Sequence, residues 1–184
     1  LQEEKDPKRF GYVVNYEQKP KRKLYEMLHK QGLQMNQEIT FLSDGGDTVR
    51  ELPMYLSPNS EHILDWFHIT MKITVMKQMT KGLNDTKMEI EEKLELIKWC
   101  IWHGNVHKAL EKLEDLNWLL DEAYSDKKER KGYKLWKTVD EFYGYIQGNS
   151  QFIPNYNDRY HHDEIISTSF VESTVNELIS KRMS

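Results

Sequence analysis

Between Asn84 and Gly148 apolar residues return every three or four positions in three successive runs, a spacing that helices bury by packing on one another. The first run opens on "TKME" at Thr86 to Glu89, which has the form of a capping box, and continues through Trp99 and Trp102 to a stop at Gly104. The second starts at Val106 and places Ala109, Leu110, Leu113, Leu116, Leu120 and Ala123 on one stripe. In the third, Tyr133, Trp136, Val139, Tyr143 and Ile146 form the apolar face, and the run ends near Gly148. A small helical bundle is expected there.

Before Asn84 the period changes. "RFGYVV" at Arg9 to Val14 and "EITFLS" at Glu38 to Ser43 are short, β-branched and aromatic, and read as strands. "HILDWFHI" at His62 to Ile69 is a third apolar run, expected to end as a strand carrying Asp65 and His68. Helical signals alternate with these stretches. Pro20 opens a helix with Leu24 and Leu28 on one face and Gly32 as its stop, "TVRE" at Thr48 to Glu51 is a capping box, and Ile69, Ile73, Met76 and Met79 make a helical stripe. Strands alternating with helices predict an α/β sheet. "QFIPNYNDRYHHDE" at 151 to 164 has no periodicity and reads as a loop. A last helix follows, with Val171, Val175, Leu178 and Ile179 as its stripe.

At 184 residues one domain with an insertion is the simplest organisation, and 38% hydrophobic content supports a folded core. The single cysteine, Cys100, forms no internal disulfide and reads as a small core residue, and no apolar run reaches the roughly 18 residues of a membrane span. Both favour a reducing, cytoplasmic setting and no membrane partner. The net charge of −4 argues against a freestanding nucleic-acid binder, although "KPKRK" at 19 to 23 is locally basic. The chain begins with Leu and ends on a running helical pattern, as a piece of a longer protein would. P-loops, dinucleotide fingerprints, CxxC pairs and serine-hydrolase elbows are absent from it.

Few residues remain to carry chemistry. Asp44 follows an apolar strand and precedes Gly45 and Gly46, at the carboxyl end where open α/β sheets place ligands. A carboxylate there suits Mg²⁺ or Mn²⁺, and the glycines leave room for a ligand. The plainer reading of "DGGD" is a strand-to-helix turn with Asp47 or Thr48 as a cap. Glu172 lies beside the last apolar stripe, either as a metal ligand or as the glutamate of the capping box "SFVE". Asp65 and His68 need partners if buried, as a polar pair ordering the junction or as metal ligands. His161 and His162 are expected to be exposed rather than to hold zinc.

Three blocks, "NQEITFLSDGGDTVRELPMYLSP", "SEHILDWFHITMKITVMKQMTKGL" and "ISTSFVESTVNELISKRM", strongly resemble the DDE-type transposases of bacterial insertion sequences, in particular the Kra-type insertion-sequence family. The likeness extends over nearly the whole chain and is looser in the middle helical region. It implies a ribonuclease H-like mixed sheet flanked by helices, with an all-helical insertion before the final glutamate-bearing helix. The implied division is 1–83 for the first part of the core, 84–150 for the insertion and 151–184 for the loop and last core helix. It also implies two Mg²⁺ or Mn²⁺ ions held by three carboxylates for DNA cleavage and strand transfer, with transposon ends and target DNA as partners and a homo-oligomer assembled on DNA.

Residue by residue, Asp44 matches the second acid of the triad and Glu172 its glutamate. "DWFH" looks like the (C/D)xxH element of related transposases, which makes Asp65 and His68 supporting residues. The first acid has no counterpart in a strand-like context, since only Glu3, Glu4 and Asp6 precede "RFGYVV". The resemblance therefore implies a catalytic-domain fragment, inactive alone. Lys181 and Arg182, beyond the glutamate, are candidates for DNA phosphate contacts or for complementing the helix dipole. Alternatives are an inert remnant retained as a DNA-binding or interaction module, and a ribonuclease H-like nuclease that cuts without joining.

Overall fold

Pro20, whose fixed φ suits a first helical position, opens α1 (Pro20–Lys30), and Gly32 at φ +98° follows its end. A computed structural model describes residues 20–34, 37–46, 55–57, 59–83, 86–126 and 129–168. The expected strand at 9–14, the capping box at Thr48 to Glu51 and the last helix lie outside the described residues.

Strands β1 (Thr40–Ser43) and β2 (Glu61–Leu64) pair in parallel, with Thr40 opposite Glu61 and Ser43 opposite Leu64. The ladder continues past both ends, as Glu61 N–H donates to Ile39 O and Asp65 N–H to Ser43 O, each at 2.8 Å. Ile63 and Leu64 are buried, so β2 presses both faces of its carboxyl end into the protein. The chain is a mixed α/β fold, mostly helical, around this small parallel pair.

Helix α2 (Trp66–Met79) begins directly after β2, which corrects the expectation that the strand ends on "DWFH", Asp65 to His68. The Asp65 carboxylate accepts the Phe67 N–H at 2.9 Å and so caps the helix, turning the chain from extended to helical within one residue. An unbroken apolar run conceals such a switch, because buried strand and buried helix share one composition. Ile69, Ile73 and Met76 are buried as the stripe predicted, and Met79 is half-buried.

Three long helices follow, α3 (Lys87–Trp102), α4 (Val106–Tyr124) and α5 (Arg130–Gly148). One continuous hydrophobic cluster joins Leu64, Ile73 and Met76 to Leu94, Ile97, Leu113, Leu116, Val139 and Ile146, and reaches Ile166. Gly104, at φ +69°, lies against the Asn155 backbone, where a Cβ would sit 3.1 Å from Asn155 N. Glu95 of α3 pairs with Lys77 of α2 and, at 2.6 Å, with Lys98, and these ammonium groups hold its carboxyl below its ordinary range.

The helical faces differ in detail from the expected ones. On α4 Tyr124 is buried while Ala123 is exposed. On α5 Leu135 and Phe142 fill the core, and Tyr133, Trp136 and Tyr143 are half-buried. Their polar tips place these aromatics at the rim, where the Tyr143 hydroxyl donates to Glu114 Oε1 at 2.7 Å. Thr86 makes no side-chain cap of the kind "TKME" suggested; its hydroxyl meets the Tyr124 hydroxyl at 3.0 Å. Nearby, Gly132 of α5 abuts the ring of Tyr124 so closely that a Cβ at 132 would run into it.

The stretch expected to be a loop contains a 3₁₀ turn (Ser150–Phe152) and a short helix, α6 (Tyr156–His161). Asn155 caps α6 by accepting the Asp158 N–H at 3.2 Å. Tyr156 is fully buried, packs at a tilt against Trp66, stacks with Trp102, and donates its hydroxyl to Leu64 O at 2.7 Å. Six residues are too few to display a helical period, so this anchor was hidden from pattern reading. Among the described residues no helix is long and apolar enough to cross a membrane.

Candidate functional site

Parallel pairing brings the carboxyl ends of β1 and β2 side by side, and the next residue of each is an aspartate. Asp44 is exposed and closes a small turn, its Oδ1 accepting the Gly46 N–H at 3.0 Å. Ser43 supports the turn from beneath, with its Oγ taking the Gly45 N–H at 3.2 Å and lying 2.5 Å from His62 Nε2. Gly45 is buried at φ +82°, and a Cβ there would lie 2.7 Å from Asn149 Oδ1 and 2.8 Å from Leu64 Cδ1. The space beside Gly45 is therefore filled by α5's end rather than left for a ligand, a correction to the reading of that glycine. Asp47 and Thr48 lie outside the described residues.

Asp65, 1% exposed, has a different environment. Besides the Phe67 N–H, its carboxylate accepts the Thr168 N–H at 3.2 Å and the Thr168 hydroxyl. His68 Nε2, on the first turn of α2, lies 3.9 Å from Asp65 Oδ2. These donors, from Phe67 and Thr168, occupy both carboxylate oxygens, so Asp65 orders the junction, with His68 beside it. A further bond, Trp66 N–H to Ile166 O at 3.1 Å, fixes the same returning segment.

Tyr145, on α5, was not singled out by sequence reasoning. Its hydroxyl is enclosed and, among the described residues, has no hydrogen-bond partner. Burial pushes its pKa far up, and the negative charges of Asp44 and then Asp65 push in the same direction, so the phenol stays protonated. Lys72 of α2 sits over the ring, its Nζ 4.6 Å from the centroid. One turn later Asn149 donates Nδ2–H to Tyr145 O at 2.8 Å and presses its Oδ1 toward Gly45, which ties the Tyr145 turn to the β1 tip. Beside Lys72, His68, Met71 and Phe142 line a groove of about 330 Å³ between α2 and α5. Tyr145 falls between the expected stripe positions 143 and 146, so periodicity offered no signal for it.

His161 and His162 are exposed, and the Asp158 carbonyl that His162 Nδ1 approaches at 2.8 Å raises the His162 pKa. Cys100 is a half-buried free thiol packed beside the core. Among the described residues no three His, Cys, Asp or Glu side chains converge as a metal cluster. Glu172, Lys181 and Arg182 lie outside the described residues. No family model, curated protein or solved structure matches the chain.

Proposed function

We propose that this chain is the catalytic-domain portion of a DDE-type transposase of a bacterial insertion sequence, a metal-dependent enzyme that cuts and joins DNA. The observation that carries the reading is the position of Asp44 at a parallel strand tip, beside an Asp65 tip to which the returning chain is bound at Thr168. Glu172 is only four residues beyond Thr168. Four residues span at most about 14 Å, which keeps the glutamate within reach of the strand tips. In this reading β1 and β2 are neighbouring strands of a larger ribonuclease H-like sheet, and residues 84–150 are its helical insertion.

The residue chemistry fits a hard cation. Asp44 is exposed, and among the described residues its Oδ2 takes no hydrogen bond, leaving an anionic oxygen for Mg²⁺ or Mn²⁺. Asp44 and Glu172, with a first acid from the parent protein, would hold two ions. When bound, such ions activate an attacking water or 3′ hydroxyl and stabilise the leaving oxygen. Asp65 and His68 support the site by fixing the junction from β2 into α2 and the segment leading to Glu172. Transposon ends and target DNA are the partners, bound by a homo-oligomer in the cytoplasm at the nucleoid.

The test uses the complete parent protein with transposon-end DNA and Mn²⁺. Asp44→Asn and Glu172→Gln should each abolish cleavage while leaving folding and DNA binding intact. Cleavage that survives either substitution overturns the assignment.

A further inference from the structure

Charge is spread unevenly over the helices of this chain, whose net charge is −4. Helix α4 exposes the acids Glu111, Glu114, Asp115, Asp121 and Glu122 and carries only two lysines, Lys108 and Lys112. Helix α2 has no acid, and the start of α5, from Arg130 to Thr138, holds Arg130, Lys131, Lys134 and Lys137 with none. These two helices are antiparallel neighbours: Lys131, at the start of α5, reaches Gly82 just past the end of α2, while Lys72, in the middle of α2, lies over the ring of Tyr145 near the end of α5. Thr138 and Glu141 line the groove between them, so the spacing 131, 134, 138, 141, 145 puts Lys134 on the same side of α5. Other lysines are neutralised within the chain, as Lys77, Lys87, Lys93 and Lys98 each pair with a glutamate of α3. Lys72, Lys131 and Lys134 are exposed and, among the described residues, pair with no carboxylate. Glu141 is the one acid among the described residues that line the groove.

We propose that the seam between α2 and α5 is a track for the phosphate backbone of duplex DNA, contacted by Lys72, Lys131 and Lys134 and flanked by Arg130 and Lys137. The inference rests on the reading of this chain as part of a DNA-processing enzyme. From Lys131 to Tyr145 the track runs roughly 21 Å, or about six steps of a DNA strand. At its Tyr145 end it meets Asn149, whose side chain reaches Gly45 next to Asp44. DNA laid on the seam is thereby led to the strand tip where the cation would be held. Ammonium groups on flexible stems suit this task, because they follow a phosphate backbone without reading its bases. The exposed acids of α4 repel the same polymer, so the polarity of the helical bundle sets the face that DNA approaches.

Lys72→Gln, Lys131→Gln and Lys134→Gln are combined in one variant, and Lys93→Gln, Lys108→Gln and Lys112→Gln in a control that loses the same charge. Binding of this chain to a short fluorescent duplex of random sequence is followed by anisotropy across a salt series, with thermal unfolding as the check that each variant is folded. In the seam variant the slope of log affinity against log salt should fall by about 0.9 for each of the three lysines, and affinity at low salt by about tenfold or more. The control should keep the unaltered slope. An unchanged slope in the seam variant, or equal losses in both variants, overturns the inference, as does an unaltered chain that binds no duplex at low salt. The transposase reading is decided separately, by cleavage in the parent protein carrying Asp44→Asn or Glu172→Gln, so the two fail independently.

Discussion

Asp65 holds Thr168 twice, by its amide and by its hydroxyl, across 103 positions of sequence. The same carboxylate caps α2, so one buried group terminates a strand, starts a helix and pins a returning segment. Asp65→Ala should destabilise the protein by roughly 2–4 kcal/mol, the combined scale of a lost cap and of buried donors left unpaired. Thr168→Val should cost about 1–2 kcal/mol. Urea unfolding of the single and double variants should show the two costs to be less than additive, because both remove one contact.

Gly45→Ala tests the close approach of α5 to the β1 tip. The positive φ costs a side chain about 1–2 kcal/mol, and the crowding by Asn149 and Leu64 adds about 1–3 kcal/mol. Part of the second cost should vanish when Asn149 is shortened to Ser in the same chain. Equal destabilisation in both backgrounds would show that Asn149 is not the obstacle.

Alkaline pH should destabilise the fold through Tyr145 and Tyr156. Burial, the first cause for each, raises both pKa values above the ordinary 10.0. Unfolded tyrosines lose their protons as pH rises past that value, whereas the buried ones keep theirs. The native state then binds more protons, so stability is full below the unfolded pKa and falls as pH climbs toward the folded one. Urea midpoints measured from about pH 9 to about pH 11.5 should decline, and Tyr156→Phe should flatten the decline. That variant should start about 1–2 kcal/mol lower at neutral pH, because the Leu64 carbonyl loses its donor.

For DNA binding beyond the α2–α5 seam, the candidates are Lys181 and Arg182. If both touch phosphates, replacing them with Gln should reduce the slope of log affinity against log salt by about 0.9 for each contact. An unchanged slope would leave them the task of complementing a helix end. In the complete parent, joined products would distinguish a transposase from a nuclease, which leaves cut ends alone.

Much of the architecture was legible because long helices repeat their signal. The stripe of Ile69, Ile73 and Met76 and the stop at Gly104 follow from spacing and turn chemistry, and Asp44 was recognisable as a strand-tip acid. Features spanning one or two residues were not. The switch from β2 to α2 at Asp65 depends on a cap and on Thr168, a partner far away in sequence. Tyr156 is the core anchor of a helix too short to show a period. The buried face of α5 is set by what surrounds it: aromatics with polar tips moved to the rim and Leu135 and Phe142 took the interior. Glycine at 45 was legible as a turn residue, but the obstacle that demands it belongs to a side chain 104 positions later.

The meeting of Gly132 with the Tyr124 ring makes these two positions share a single allotment of volume. An aromatic at 124 leaves no place for a methyl at 132, so either site tolerates enlargement only when the other shrinks. In sequences diverging from this one, the two positions should therefore change together, and a chain with bulky residues at both would have to spread the α4–α5 hairpin apart.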